Sequence, residues 1–335
     1  MPPAFRLCAK RGILMSAPVF LPGWFPQHDC AVIVACDANY LPYAAVVARQ
    51  LADGAPACDV LIGSPDPLDL PHVLRGAGIG HVAARMPLIE SVLPLDDRRS
   101  LAAYMGVFLA SALGGIYRRI LVLDADILFE RGDPARLMAA GMGGHAVAAV
   151  RDNRQWRSPA KRVPDFRRLG WAAAPYFNSG VVMYDPDSWV AQDLPARCAA
   201  FARRHLKGLG RDQALLNGTL HGDWAEISPL WNWQFTWASS HLAAMADPCL
   251  VHFIGPVKPW LDRSEGIVPM RWRMPYGAFL ADHFPAAARP GRPEIRHWPG
   301  RRHLGRSLLR QWRASAPMLD YLGRFADEYT LLDPR

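Results

Sequence analysis

Short apolar runs recur along the first two-thirds of the chain, and segments of helical periodicity separate them. Ala31-Val32-Ile33-Val34-Ala35 is unbroken by polar residues and reads as a strand buried on both faces. Pro42 to Leu51 has the spacing of a helix. Asp59-Val60-Leu61-Ile62-Gly63 and His81-Val82-Ala83 predict two more strands. Arg98 to Leu113 predicts a helix stopped by Gly114-Gly115. Arg119 to Leu123 predicts another strand. Pro134 to Ala140 predicts a short helix with Asp133 as N-cap and proline in its first turn. Ala146 to Val150 and Tyr176 to Tyr184 read as strands. Asp193 to Arg204 and Asp212 to Leu220 read as helices, and Leu250 to Gly255 as a late strand. Strands alternating with helices predict an α/β fold with a mainly parallel, doubly wound sheet.

The segment 153–175 breaks this rhythm. It is polar, basic and aromatic, with Pro159, Pro164 and Pro175, and reads as an ordered loop or a lid over a site. From about Gly266 the chain is rich in Pro, Trp and Arg. The expected organisation is an irregular N-terminal extension over 1–29, one catalytic-type domain over 30–265, and a basic C-terminal region over 266–335. Met15 is an alternative translation start.

Charge sharpens that division. The 335 residues carry a net +8, yet eight arginines between Arg289 and Arg313 face one acid, Glu294. The basic character therefore belongs to the C-terminal region. Leu304, Leu308, Leu309 and Trp312 give that region one apolar side on a helix, with Arg306, Arg310 and Arg313 among them. Such a helix suits an anionic membrane surface, reached from the cytoplasmic side as a peripheral protein. No nucleic-acid motif accompanies the charge. No apolar run is long enough to span a bilayer. The six cysteines show no CxxC pair and read as reduced core thiols.

The chemistry centres on Asp124-Ala125-Asp126, set between Ile120-Leu121-Val122-Leu123 and Ile127-Leu128-Phe129. Carboxylates next to a buried strand call for a cation. Alternate residues of a strand share a face, so both are expected to point at one ion. A divalent metal carrying a phosphorylated substrate is the natural occupant. Asp37 and Asp152 also stand at predicted strand ends, where ligands bind in such sheets. Farther on, His252-Phe253-Ile254-Gly255-Pro256-Val257-Lys258-Pro259-Trp260 joins an imidazole, a glycine and a lysine on a proline-stiffened turn. That combination suits a metal and a diphosphate.

These pieces together resemble glycosyltransferase family 8. The resemblance rests on Cys36-Asp37-Ala38-Asn39-Tyr40-Leu41-Pro42-Tyr43, Leu121 to Asp126, Tyr176-Phe177-Asn178-Ser179-Gly180-Val181, Asp212-Gln213-Ala214-Leu215-Leu216-Asn217 and the His252 to Trp260 block. It covers about residues 30–262. It implies a GT-A fold, a UDP-linked sugar donor, a saccharide or lipid-linked acceptor such as lipopolysaccharide, and Mn²⁺, with Mg²⁺ as the substitute. Asp124, Asp126 and His252 would then hold the metal. Asp37, Asn39 and Tyr40 would hold uridine and ribose, and Gly255 and Lys258 the diphosphate. Asn178, Asp212 and Gln213 would face the donor sugar, with Asp152 nearby. Transfer would proceed with retention, and Asp152, Asp212 and Gln213 are the catalytic candidates. In one departure, Gly106 stands where the family usually has an arginine, with Arg98 or Arg99 as possible stand-ins. The competing classes are a sugar-nucleotide-binding protein without transfer activity and a nucleotidyltransferase. The latter would more often show a Gly-rich loop after the first strand, where this chain has Asp37-Ala38-Asn39.

Overall fold

The computed structural model describes residues 17–54, 57–93, 100–209, 211–235, 245–261, 268–289 and 301–334. Arg98 and Arg99 lie outside them. The core is a nine-stranded sheet in the order β1-β4-β3-β2-β5-β8-β7-β9-β12. Its strands are β1 (Val19–Phe20), β2 (Cys30–Ala35), β3 (Asp59–Ser64), β4 (Gly80–Ala83), β5 (Arg119–Asp124), β7 (Val147–Arg151), β8 (Phe177–Tyr184), β9 (Ala225–Ile227) and β12 (Leu331–Leu332). A second sheet, β10-β11-β6, is formed by β6 (Ile127–Phe129), β10 (Trp233–Gln234) and β11 (Leu250–His252).

β4, β3, β2 and β5 are parallel neighbours, as the alternating pattern predicts. β8 then enters between β5 and β7 and runs antiparallel to both. That reversal positions the site. β2, β5 and β7 deliver their last residues to one sheet edge, and β8 delivers its first ones there.

Residues of β2 alternate between two apolar layers. Val32 and Val34 pack with the helix Leu41–Gly54 and with Trp272, Tyr276 and Leu280 of the helix Met270–His283. Ala31 and Ile33 pack on the opposite face with Met105, Phe108 and Leu109 of the helix Met105–Ala112. Both faces are covered, which explains the unbroken apolar strands.

Several elements differ in detail from the sequence pattern. The helix expected from Arg98 begins, within the described residues, as a 3₁₀ turn over Leu101–Tyr104 and becomes α-helical at Met105. The short helix Pro134–Ala139 is capped as expected, with Asp133 accepting from Arg136 N at 3.1 Å. The segment 153–175 is ordered by Gln155. That buried amide donates to the Lys161 and Ala174 carbonyls at 2.8 and 3.0 Å and accepts from Tyr176 N at 2.9 Å.

Both ends of the described chain join the large sheet. β1 pairs with β4 and β12 with β9, each antiparallel. These two-residue edge strands are too short to show a period. The helix Arg301–Leu322 buries Ser307, Gln311, Ala314, Met318 and Tyr321 along one face. Leu308, Leu309, Trp312 and Leu319 lie exposed, Trp312 at 73%. No helix among the described residues is long and apolar enough to cross a membrane. Cys30, Cys36, Cys58, Cys198 and Cys249 are buried.

Candidate metal and donor site

Asp124 ends β5, whereas Asp126 lies in the tight turn before β6. The two carboxylates therefore converge through a turn, not through the alternation of one strand. β6 pairs antiparallel with β11, and His252 stands opposite Ile127. Among the described residues, Asp124, Asp126 and His252 form a group whose ligand atoms all lie within 4.8 Å of one another. His252 Nε2 is 3.1 Å from Asp126 Oδ1 and 3.8 Å from Asp124 Oδ2.

The electrostatics of the group call for a cation. Burial and the neighbouring Asp126 push the Asp124 carboxyl up to about 7. Burial also works against Asp126, but His252 and Lys258 hold its carboxyl low. Lys258 Nζ donates to Asp126 Oδ2 at 2.5 Å and to the Phe253 carbonyl. Asp126 Oδ1 is buried and faces His252 Nε2. Gly180 makes room for the imidazole: a Cβ there would collide with His252 Cε1 and lie 2.5 Å from Nδ1. Two carboxylate oxygens and an imidazole nitrogen are donors that suit a divalent ion. The residues present thus fit a divalent ion.

A second group adjoins the first. Asn178 Nδ2 donates to Gln213 Oε1 at 3.3 Å, and Gln213 Nε2 donates to Asp152 Oδ2 at 2.9 Å. Arg154 grips the same carboxylate through Nε at 2.7 Å and Nη2 at 2.9 Å. Asp212 opens the helix Asp212–Leu220, and burial raises its carboxyl against an opposing hydrogen bond from Ser179. Asp212 and Asp124 line one small cavity, together with Ser179, Gly106 and Tyr184.

Asp37, Asn39 and Tyr40 form the rim. Asp37 Oδ1 accepts from Asn39 N and Tyr40 N, both at 3.1 Å, which shapes the turn into the helix Leu41–Gly54. Tyr40 is 43% exposed and close enough to Asp126 to feel its charge. Tyr43 stacks on Trp260 at 3.9 Å between ring centroids, tying this rim to the His252–Trp260 turn. Gly255 faces open space, with nothing within 4 Å of a Cβ built on it.

The sequence-predicted residues therefore gather at one end of the sheet. Sequence reasoning missed Asn232, Arg154 and Tyr184. Asn232 is fully buried between Trp231 and Trp233. An amide inside an aromatic run was the available signal, because a buried amide needs partners.

A mixed sheet with two carboxylates and an imidazole gathered beyond its strand ends is an α/β architecture with a candidate divalent-metal group. Residues 31–264 match glycosyl transferase family 8, and the chain belongs to that family. It is 28% identical over 179 residues to the lipopolysaccharide 1,2-glucosyltransferase of Escherichia coli K12, covering 50% of this chain and 52% of that one. It is 28% identical over 164 residues to general stress protein A of Bacillus subtilis, covering 44% and 54%. The chain spans about half the length of these curated relatives. In fold it is similar to the galactosyltransferase LgtC solved with donor and acceptor sugar analogues. That likeness has a TM-score of 0.59 at 20% identity, over 76% of this chain and 96% of that one. The glycosyltransferase GlyE of Streptococcus pneumoniae TIGR4 gives a TM-score of 0.52 at 16% identity, over 79% and 65%. These likenesses establish the GT-A-type fold.

Proposed function

We propose that the protein transfers a hexosyl group from a UDP-linked donor to a saccharide or lipid-linked acceptor of a surface glycan, with retention at the anomeric carbon. The observation that carries this reading is the Asp124–Asp126–His252 group beside Lys258 and the open Gly255 turn. Asp124, Asp126 and His252 would hold Mn²⁺, or Mg²⁺ in its place. Bound there, the ion would supply Lewis-acid stabilisation of the leaving diphosphate. Lys258 would add a fixed positive charge to the same phosphates, and the open space beside the half-buried Gly255 would allow them to approach the backbone. Asp37, Asn39 and Tyr40 offer polar groups and a ring for uridine and ribose.

The attacking hydroxyl needs a proton acceptor and the sugar a defined face. Gln213 and Asn178 offer amide groups to sugar hydroxyls, with Asp212 beside them. A covalent route would use a free carboxylate as nucleophile. Asp152 is 4% exposed, clamped by Arg154 and bonded to Gln213, so its charge is spent. With Asp152 held in this way, Asp212 is the candidate carboxylate left for a covalent route, and we favour same-face attack, in which the acceptor hydroxyl gives its proton to the departing phosphate. The exposed Leu308, Leu309 and Trp312 among the arginines support peripheral attachment to an anionic membrane, facing the cytoplasm.

A hydrolysis screen across UDP-sugars with Mn²⁺ tests the reading. One or a few donors should release UDP in the wild type, and Asp126→Asn should release none. Failure of every UDP-sugar to bind or react would overturn it.

A further inference from the structure

The buried amides of the site form one hydrogen-bonded line, and its chemistry fixes the direction of every bond. At one end, both oxygens of the Asp152 carboxylate accept from Arg154, and the group has nothing to donate to Gln213. Gln213 must therefore present Nε2 to it, at 2.9 Å, which leaves Oε1 facing Asn178. Asn178 must answer with Nδ2, at 3.3 Å, which turns its Oδ1 inward. The backbone N–H of Gly180 donates to that Oδ1 at 3.0 Å and confirms the orientation independently. Asn232 then donates Nδ2 to Asn178 Oδ1 at 2.9 Å, so its own Oδ1 is left for His252 Nδ1 at 3.1 Å. An amide oxygen accepts only, so Nδ1 must carry a proton. Nε2 is the ring atom left to face the two carboxylates.

We propose that Asn232 is a positioning residue for the metal site. It holds His252 in the form that turns Nε2 to the ion, and it joins that imidazole through Asn178 and Gln213 to Asp152 and Arg154. The inference rests on the metal reading above but concerns different atoms. Free imidazole places its proton on either nitrogen, and the wrong choice would put an N–H where a ligand lone pair is needed. Asn232 is completely buried, as is its neighbour Trp231, so water does not compete for these bonds. The line also explains why amides, not carboxylates, stand at 178, 213 and 232. Each must donate on one side and accept on the other.

The test uses the whole chain with ¹⁵N-labelled histidine, free of metal, at a pH where the ¹⁵N shifts themselves show a single proton on the His252 ring. His252 is assigned by comparison with His252→Gln. Wild-type His252 should show a protonated Nδ1 and a bare Nε2. In Asn232→Leu the two forms should mix, and titration with Mn²⁺ alone should show binding weakened about 10- to 100-fold. Asn232→Asp, which can still accept from Nδ1 but can no longer donate to Asn178 Oδ1, should keep the tautomer while breaking the link to Asn178. A wild-type His252 protonated on Nε2 would overturn the proposal, whatever the variants do. So would unchanged tautomer and Mn²⁺ affinity in Asn232→Leu. If the wild type shows the expected tautomer but binds no Mn²⁺, the metal reading falls while the hydrogen-bonded line stands.

Discussion

Arg151 Nε and Nη2 each donate to the Glu226 carboxylate at 2.8 Å, with the two side chains 3% and 0% exposed. Tyr321 adds its hydroxyl at 2.5 Å and Arg324 a bond at 3.2 Å. The last residue of β7 and the C-terminal helix thus share one buried anion, directly beside Asp152. Glu226→Gln would leave the Arg151 charge buried without its partner. It should lower unfolding stability by about 3–5 kcal/mol in urea titrations. A loss near zero would mean that water reaches the pair.

Gly180 leaves the imidazole its space. Gly180→Ala should fold but displace His252, and Mn²⁺ titration should show binding reduced at least about tenfold. Wild-type affinity in that variant would show that the ring sits elsewhere in solution.

Gly106 lies against the Tyr184 hydroxyl, which would be 2.5 Å from a Cβ built on the glycine. Alanine normally favours a helix interior over glycine by about 1 kcal/mol. Gly106→Ala should nonetheless destabilise the wild type. In a Tyr184→Phe background the same change should cost less, because only the ring atoms 3.2 and 3.3 Å from that Cβ remain. Equal effects in both backgrounds, read from thermal unfolding, would refute the clash.

His81 supplies an acid-sensitive element. It is 2% exposed, and burial lowers its imidazole to about 4. Ser64 Oγ donates to the Asp66 carbonyl at 2.5 Å and so accepts from His81 Nε2 at 2.7 Å. The folded form keeps His81 neutral while the unfolded chain protonates near 6.5, so the unfolded state binds more protons between these values. Stability should fall as pH drops from about 6.5 to 4, by up to roughly 3 kcal/mol. His81→Asn should flatten that slope in pH-dependent urea titrations.

Membrane attachment is best tested on the exposed side of the C-terminal helix, because its other face is core. Trp312→Glu with Leu308→Glu should leave the fold intact and abolish co-sedimentation with anionic vesicles. Unchanged co-sedimentation would remove this surface from consideration. Removing the whole segment would also delete Tyr321, a partner of Glu226, and would confound binding with unfolding.

The parallel strands and the acidic turn were readable because burial on both faces leaves long apolar runs, and a carboxylate beside such a run needs a cation. The rest was hidden for identifiable reasons. β8 reads as a strand, but its antiparallel insertion depends on pairing that the local pattern does not encode. β1 and β12 hold too few residues to show any period. The convergence of Asp124 and Asp126 comes from turn geometry, which an Asp-Ala-Asp spacing does not distinguish from strand alternation. Asn232 sits twenty residues before His252 and meets it only when β10 lies beside β11. In the C-terminal helix the outward apolar side was legible. The buried side was not, because Ser307 and Gln311 occupy it alongside Ala314, Met318 and Tyr321.

The pairing of β6 with β11 has a consequence for assembly. Strand side chains alternate, so a slip of one residue in this short ladder would turn His252 away from Asp126 and present its neighbour instead. Ion capture therefore reports on registration. During refolding, the recovery of affinity for the proposed ion would mark the moment at which the small sheet has closed in register.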